Sequence, residues 1–300
     1  MRYRKQPLTF EQQADRLIER GLSADHPALI RCLSEVNYYR LSGYWYPFRK
    51  PAEETFQPGT TLELIWDRYI FDRQLRVLTM DAIERIEVAI RTAVTNELTL
   101  RHGAFGHLDR SNLPNISVNR HRKMLEKIQA EQDRSHEVFV AHYNSKYTTE
   151  TNLPLWIAVE LMSFGTVLTL FRGSESVVKR NVATRYDISD DVLNSWLLSL
   201  NTVRNVCAHH GRLWNRSLGT PIMIPRGRKH PDWHDPVELG GNPRRMFAVL
   251  SVLAYLVSRI APQSKWRKRL VHLWESKHPS IPIADMGFPE NWKDSPIWKD

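Results

Sequence analysis

Apolar residues recur at helical spacing along most of this 300-residue chain. Between about 60 and 100, positions three or four apart form one continuing apolar stripe: Leu62, Ile65, Trp66, Tyr69, Ile83, Ile86, Ile90 and Val94. Neither Pro nor Gly interrupts this region, so it predicts one very long helix or two stacked helices. The spacing of Thr60 and Glu63 is typical of a capping box at its start.

The same period and recognisable end signals predict helices elsewhere. Thr9 can cap a first helix and Gly21 can end it. Helices are predicted over 10–20, 28–36, 120–146 (one or two polar helices), 155–171, 175–186, 190–210, 244–260 and 265–276. Strand alternation is not found, which favours an all-α fold. We expect one domain over residues 1–276, with a long connection over 215–243, followed by an irregular, Pro-rich tail over 277–300.

Composition narrows the class of partner. Apolar residues make up 42% of the chain, and 42 Lys and Arg against 33 Asp and Glu give a formal net charge of +9. This balance suits a polyanion such as nucleic acid. The basic N-terminal residues are not followed by the apolar core of a signal peptide. The apolar run at 154–171 is interrupted by polar residues, so it is not expected to span a membrane. The two cysteines suit a reducing compartment. A cytoplasmic location without membrane attachment is therefore expected.

Two segments leave alternatives open. Residues 37–48 contain six large aromatic side chains, which favours a core-lining turn of helix, although stacking on RNA bases is the alternative. In the long helical region, Glu87 and Arg91 stand four residues apart, the spacing of an ordinary surface ion pair.

The densest chemistry lies in the run from Arg204 to Arg216, which contains three arginines, two adjacent histidines and two asparagines. A guanidinium can bind phosphate through paired donors, and an imidazole can transfer protons near neutral pH. Together they indicate chemistry at a phosphodiester. Motifs for dinucleotide binding, P-loop nucleotide binding, zinc proteases and α/β-hydrolases are absent from the sequence, and we expect neither a metal site nor a cofactor.

Spacing places the candidate side chains unequally. Asn205 and His209 are four residues apart and share a helix face, so the amide can orient the imidazole. Arg204 lies five residues before His209, about 140° away around a regular helix. The two therefore converge only if the helix is distorted, if Arg204 reaches across, or if a second copy of the motif contributes. The same spacing recurs at Arg267 and His272, in a basic run typical of a solvated helix face.

The Arg-Asn-x3-His element resembles the signature of HEPN-domain ribonucleases, and the wider chain resembles abortive-infection (Abi) proteins of the AbiD/AbiF type. The resemblance rests on ordered blocks that span roughly residues 30 to 260: 37–45, 69–76, 83–91, 155–165 and 204–216. It implies an all-α, HEPN-like bundle, a phage-defence or toxin setting, metal-independent RNA cleavage, and a homodimer with two copies of the motif at its two-fold axis.

Roles for individual residues follow from this chemistry. His209 is expected to act as general base or acid, Arg204 as the phosphate clamp and Asn205 as the orienting group, with His210 as possible support. We expect RNA contacts from the neighbouring basic residues Arg212, Arg216, Arg226, Arg228 and Lys229. An RNA or protein antitoxin is compatible with the resemblance. Two rivals stay open: a non-catalytic RNA-binding module, and a sensor of a phage component.

Overall fold

The computed structural model describes residues 6–225, 233, 242–277, 279 and 281–299. Within them the chain is all-α, with isolated bridges but no strand. Its helices are α1 (Phe10–Glu19), α2 (His26–Glu35), α3 (Tyr38–Trp45), α4 (Leu62–His102), α5 (Val118–Asp133), α6 (Val138–Lys146), α7 (Leu155–Leu161), α8 (Phe164–Gly173), α9 (Ser176–Thr184), α10 (Asp190–Ala208), α11 (Met246–Ile260) and α12 (Trp266–Glu275).

The central element is α4, a single helix of 41 residues, so the alternative of two stacked helices is wrong. Its N-cap is Thr61, whose hydroxyl accepts from the backbone N–H of Leu64, while the Thr60 hydroxyl donates to the Gln57 carbonyl. The helix therefore begins with a simple Thr61 cap one residue later than predicted, and the expected capping box is wrong, because the residue three after this cap is Leu64. Gly103, with φ 74°, ends the helix in a conformation that favours glycine.

Helices α3 and α7–α12 all contact α4. Buried apolar side chains form two clusters, and α4 contributes to both. One cluster joins α1, α2 and α3 to the first turn of α4, and the other runs from the middle of α4 to the C-terminal tail. Every residue of α11 from Met246 to Val257 is buried, which makes α11 the innermost of the helices packed on α4.

The apolar run predicted as one helix over 155–171 is two helices. Met162 adopts an extended backbone conformation after α7, and the Ser163 hydroxyl then caps α8 by accepting from the N–H of Thr166. A serine that caps a new helix start competes with continuation of the old helix. The tail at 281–299 contains short 3₁₀ turns, and its aromatic residues Phe288, Trp292 and Trp298 pack against Trp274 of α12.

Candidate nucleic-acid site

The motif helix α10 ends at Ala208, two residues earlier than the pattern predicts, in a fully hydrogen-bonded cap. The N–H of Gly211 donates to the Val206 carbonyl at 2.7 Å, and the N–H of His210 donates to the Cys207 carbonyl at 3.0 Å. These two bonds define a Schellman motif, in which the residue at the position of His210 must be left-handed. His210 has φ 55°, a conformation that is costly for any residue other than glycine.

The cap leaves the candidate proton-transfer groups open to solvent. Asn205, His209 and His210 are all exposed, while Arg204 is partly buried. Within the described part of the chain, no side-chain hydrogen bond joins Asn205 to His209; their contact is the backbone bond from the His209 N–H to the Asn205 carbonyl, at 3.0 Å. The predicted orienting bond is thus not formed. The exposure of the motif runs against the sensor alternative, which expects a buried, hydrogen-bonded motif.

Arg204 is held from the side by α4. Its Nε lies 3.8 Å from Oε2 of Glu87, and Glu87 is only 14% exposed. Glu87 also accepts from Nη2 of Arg91 at 3.1 Å, and the same nitrogen donates to the Met162 carbonyl at 3.0 Å. Burial raises the pKa of Glu87, and the positive charges of Arg204 and Arg91 act in the opposite direction. The expected surface pair of Glu87 and Arg91 is therefore a largely buried cluster that orients Arg204.

The predicted RNA-contacting arginines Arg212 and Arg216 are exposed beside the cap, and the side chain of each donates a hydrogen bond to a backbone carbonyl. Arg212 donates to the carbonyl of Gly43 in α3, and Nε of Arg216 donates to the Arg212 carbonyl at 3.0 Å. From α3, Arg40 donates to the carbonyl of His210. These contacts fix the backbone after α10 against the N-terminal helices. The other three predicted RNA contacts, Arg226, Arg228 and Lys229, lie outside the described residues.

A buried carboxylate anchors the segment that follows the motif. Asp72 of α4 is fully buried and accepts from the Tyr44 hydroxyl at 2.6 Å, from Arg76, and from the backbone N–H groups of Leu213, at 3.0 Å, and Trp214. Burial raises the pKa of Asp72, while its donors lower it. This hub ties α3, α4 and the loop after α10 into one unit.

Cys207 is not a candidate nucleophile although it lies within the motif. Its thiol is buried, and burial together with the negative charge of Asp72 raises its pKa to about 12. A thiol with that pKa is protonated at neutral pH. Among the described residues, no group of three or more His, Cys, Asp and Glu side chains is arranged to hold a metal ion.

The sequence pattern missed both anchoring acids. Asp72 and Arg76 have a recognisable signal, because they fall in register with the apolar stripe of α4 and so had to be buried as a pair. Glu87 has a weaker signal, since only the crossing of α4 and α10 brings it to Arg204.

The described helices include none with the length and apolar character needed to cross a bilayer. The described chain is thus an all-α protein that presents its Arg-Asn-x3-His element at an exposed helix end. The family model for Abi-like proteins matches residues 31–215, so this chain belongs to that family. No curated protein and no solved structure matches it. Family membership supports a role in abortive infection, the phage-defence response from which the family takes its name.

Proposed function

We propose that this protein is a metal-independent endoribonuclease of the HEPN type that acts as a toxin in abortive infection. The observation that carries the proposal is the exposed end of α10, where His209 and Asn205 face solvent and where Arg204, in the last turns of the helix, lies 3.8 Å from the largely buried Glu87. An exposed imidazole and a guanidinium at the end of one helix suit a charged, extended substrate. The net charge of +9 further favours RNA over a neutral ligand.

RNA supplies its own nucleophile. A base removes the proton of the 2′-OH, the 2′ oxygen attacks the adjacent phosphorus, and the bond to the 5′ oxygen of the next nucleotide breaks as an acid protonates that oxygen. The products carry a 2′,3′-cyclic phosphate and a 5′-OH. His209 performs one proton transfer, Arg204 stabilises the negative charge of the phosphorane, and Asn205 orients the imidazole when RNA is bound.

The second proton transfer needs another group, because one imidazole serves poorly as base and acid in the same step. We assign it to His209 of a second copy in a homodimer, with His210 as the alternative. Leu198, Thr202, Asn205 and His209 share one exposed face of α10. Leu198 is 37% exposed there, an apolar contact available to the partner. Two such faces meeting at a two-fold axis would bring the pairs together. Dilution below the dimer's dissociation constant should therefore abolish activity, and full activity in a strict monomer would argue against the dimer.

The deciding experiment incubates purified protein with RNA in EDTA and determines the chemistry of the new ends. His209→Ala and Arg204→Ala should each lower cleavage by about 10²–10⁴-fold and remove toxicity in cells, with circular dichroism unchanged. His272→Ala is the matched control, since His272 is exposed and follows Arg267 at the same spacing. RNA with a 2′-O-methyl group at the cut site should resist cleavage.

Three results would reject the proposal: cleavage that requires a metal and leaves a 3′-OH, full activity of His209→Ala, or RNA binding without cleavage in the wild type. The last result would identify the rival, a non-catalytic RNA-binding module. Binding should weaken steeply with salt in either case, because arginine contacts to phosphate release counterions. Charge reversal at Arg226, Arg228 and Lys229 tests whether that segment contacts RNA. An RNA or protein antitoxin would be sought by co-purification from the native host.

A further inference from the structure

We propose that a groove in the N-terminal helices binds an unpaired base of the RNA strand next to the cleavage site. This inference rests on the proposed function and extends it, because it assigns a substrate-binding subsite and the class of substrate, single-stranded rather than double-stranded RNA. The groove is separate from the residues that carry out the chemistry. It lies between α1, the end of α2, α3 and the segment at 49–56.

The groove has the size and lining that suit a nucleobase. Its volume is about 600 Å³, within the range of small-ligand sites. The residues on its walls include four with aromatic rings and two arginines: Phe10, Tyr38, Tyr39, Trp45, Arg16 and Arg49. Apolar ring faces accept a base, while cations at the rim accept the phosphates on either side.

Tyr39 is the stacking platform. Its side chain is 77% exposed, although burial would be expected for an aromatic on a short helix inside a packed region. It contacts Tyr38 edge-to-face at 6.3 Å between ring centroids, and Tyr38 in turn packs on the buried Trp45 at 4.9 Å. Because Tyr38 and Trp45 support the Tyr39 ring, the ring should lose little side-chain entropy when a base stacks on it. Of the two alternatives for residues 37–48, a place in the core holds for Tyr44 and Trp45, which are buried, and stacking on RNA is proposed here for Tyr39, which is exposed.

Charge at the groove matches a polyanion. Arg20 is neutralised by Glu54, whereas the guanidinium of Arg16 forms no ion pair or hydrogen bond with any described residue, and that of Arg49 donates to the backbone carbonyl of Glu53. Glu35 is the remaining acid in the lining. With two cations and one acid, the rest of the lining carries a net positive charge, in a protein whose formal net charge is +9. This charge favours a ligand that contains phosphate.

Helix α3 connects the groove to the motif. Tyr39 and Ser42 line the groove, while Arg40 and Gly43, one position further along in each case, contact the backbone at His210 and the side chain of Arg212. Successive residues of a helix are rotated by about 100°, so the groove and the motif occupy adjoining faces of the same helix. A strand that lies at His209 can continue around α3 and place a neighbouring base on Tyr39.

The test uses short single-stranded RNA in the His209→Ala background, so that binding is measured without cleavage. Tyr39→Ala should weaken binding by about 5- to 150-fold, the range for loss of one base stack, whereas Tyr39→Phe should keep wild-type affinity. Tyr147→Ala is the control, because Tyr147 is also exposed and lies outside the groove. Affinity for fully duplex RNA should not change. Photocrosslinking with 5-iodouridine RNA, read by mass spectrometry, should label Tyr39.

The inference is overturned if Tyr39→Ala binds RNA as Tyr39→Phe does, or if crosslinks map outside the groove. Either outcome would leave the groove to a different ligand, such as a segment of a partner protein. The two proposals fail separately: single-stranded RNA that binds and crosslinks at Tyr39 without cleavage by the wild type refutes only the ribonuclease. Cleavage that is indifferent to Tyr39 refutes only the groove.

Discussion

Replacing Asp72 by asparagine tests the buried hub that anchors the loop after the motif. The substitution keeps the size of the side chain and removes its charge. The carboxylate accepts from four donors: the Tyr44 hydroxyl, Arg76, and the backbone N–H groups of Leu213 and Trp214. An amide has one acceptor oxygen and turns two donors of its own toward this group. The amide can keep its oxygen at Oδ1, to which the N–H groups of Leu213 and Trp214 donate, but a neutral oxygen is a weaker acceptor than a carboxylate. The amide nitrogen then replaces Oδ2, so Arg76, which is buried, loses both its acceptor and its counter-ion.

The cost follows from these losses. Removing one member of a buried ion pair destabilises a protein by about 3–5 kcal/mol, because the remaining charge is left buried and unpaired. Orphaned buried donors cost about 1–3 kcal/mol each, a part of the same total. Since typical proteins unfold with about 5–15 kcal/mol, Asp72→Asn should remove a large share of the stability. Asp67→Asn, on the same helix, has no side-chain hydrogen bond to lose among the described residues and should change stability by less than about 0.5 kcal/mol.

Urea unfolding followed by tryptophan fluorescence and by circular dichroism measures the free energy and tests whether the two probes agree. Hydrogen exchange then locates the effect, because the amides of Leu213 and Trp214 should exchange faster in Asp72→Asn than in the wild type. In the double variant Asp72→Ala with Arg76→Met, neither partner's charge is left buried. The double variant should therefore lose less unfolding free energy than the sum of the losses in Asp72→Ala and Arg76→Met alone. Additive losses, or a loss below about 1 kcal/mol in Asp72→Asn, would refute the assignment of this hub.

Three further predictions concern single residues. Glu87→Gln should lower RNA cleavage by about 10–100-fold through misplacement of Arg204, while RNA affinity is retained. Glu84→Gln, at an exposed position of the same helix, is the control. Unchanged cleavage in Glu87→Gln would show that Glu87 does not orient the arginine. His210→Gly should be more stable than His210→Ala by about 1 kcal/mol, as measured by thermal unfolding, because only glycine is free of strain at φ 55°, and equal stability would contradict this. Burial lowers the pKa of His107 to about 4, so between pH 6.5 and pH 4 the unfolded chain binds a proton at this residue and the folded chain does not. The free energy of unfolding should therefore fall by about 3 kcal/mol as the pH drops from 6.5 to 4. In His107→Phe the dependence of unfolding free energy on pH should be weaker over this range.

The long helix and the motif helix were predictable because local signals agree there. The apolar stripe of α4 runs without Pro or Gly, and α10 begins at a serine cap and carries acids in its first turn. The break between α7 and α8 was not predicted, since an apolar run has the same period on both sides of Ser163. What decides the break is the cap at Ser163 and the packing of two short helices on α4, which is a tertiary effect.

The sequence names the members of the candidate site, but it does not predict the geometry around them. The motif names Arg204 and His209 from their chemistry alone. Their environments depend on contacts between distant parts of the chain: Glu87 lies 117 residues before Arg204, and Asp72 lies 141 residues before Leu213. No spacing within α10 encodes these partners.

The unbroken length of α4 explains how two acids can act on one motif. Asp72 and Glu87 are 15 residues apart on the same helix, a separation of about 22 Å along its axis. Asp72 binds the segment after the cap, and Glu87 is paired with Arg204 before the cap. A shift of the cap would therefore disturb the contacts of one of these two carboxylates. His209 is the exception, because it sits on the cap with its side chain free. Arg204 is paired with Glu87 while the His209 imidazole is exposed, so under the proposed function the orientation of the imidazole is expected to come from bound RNA or from a second copy of the chain.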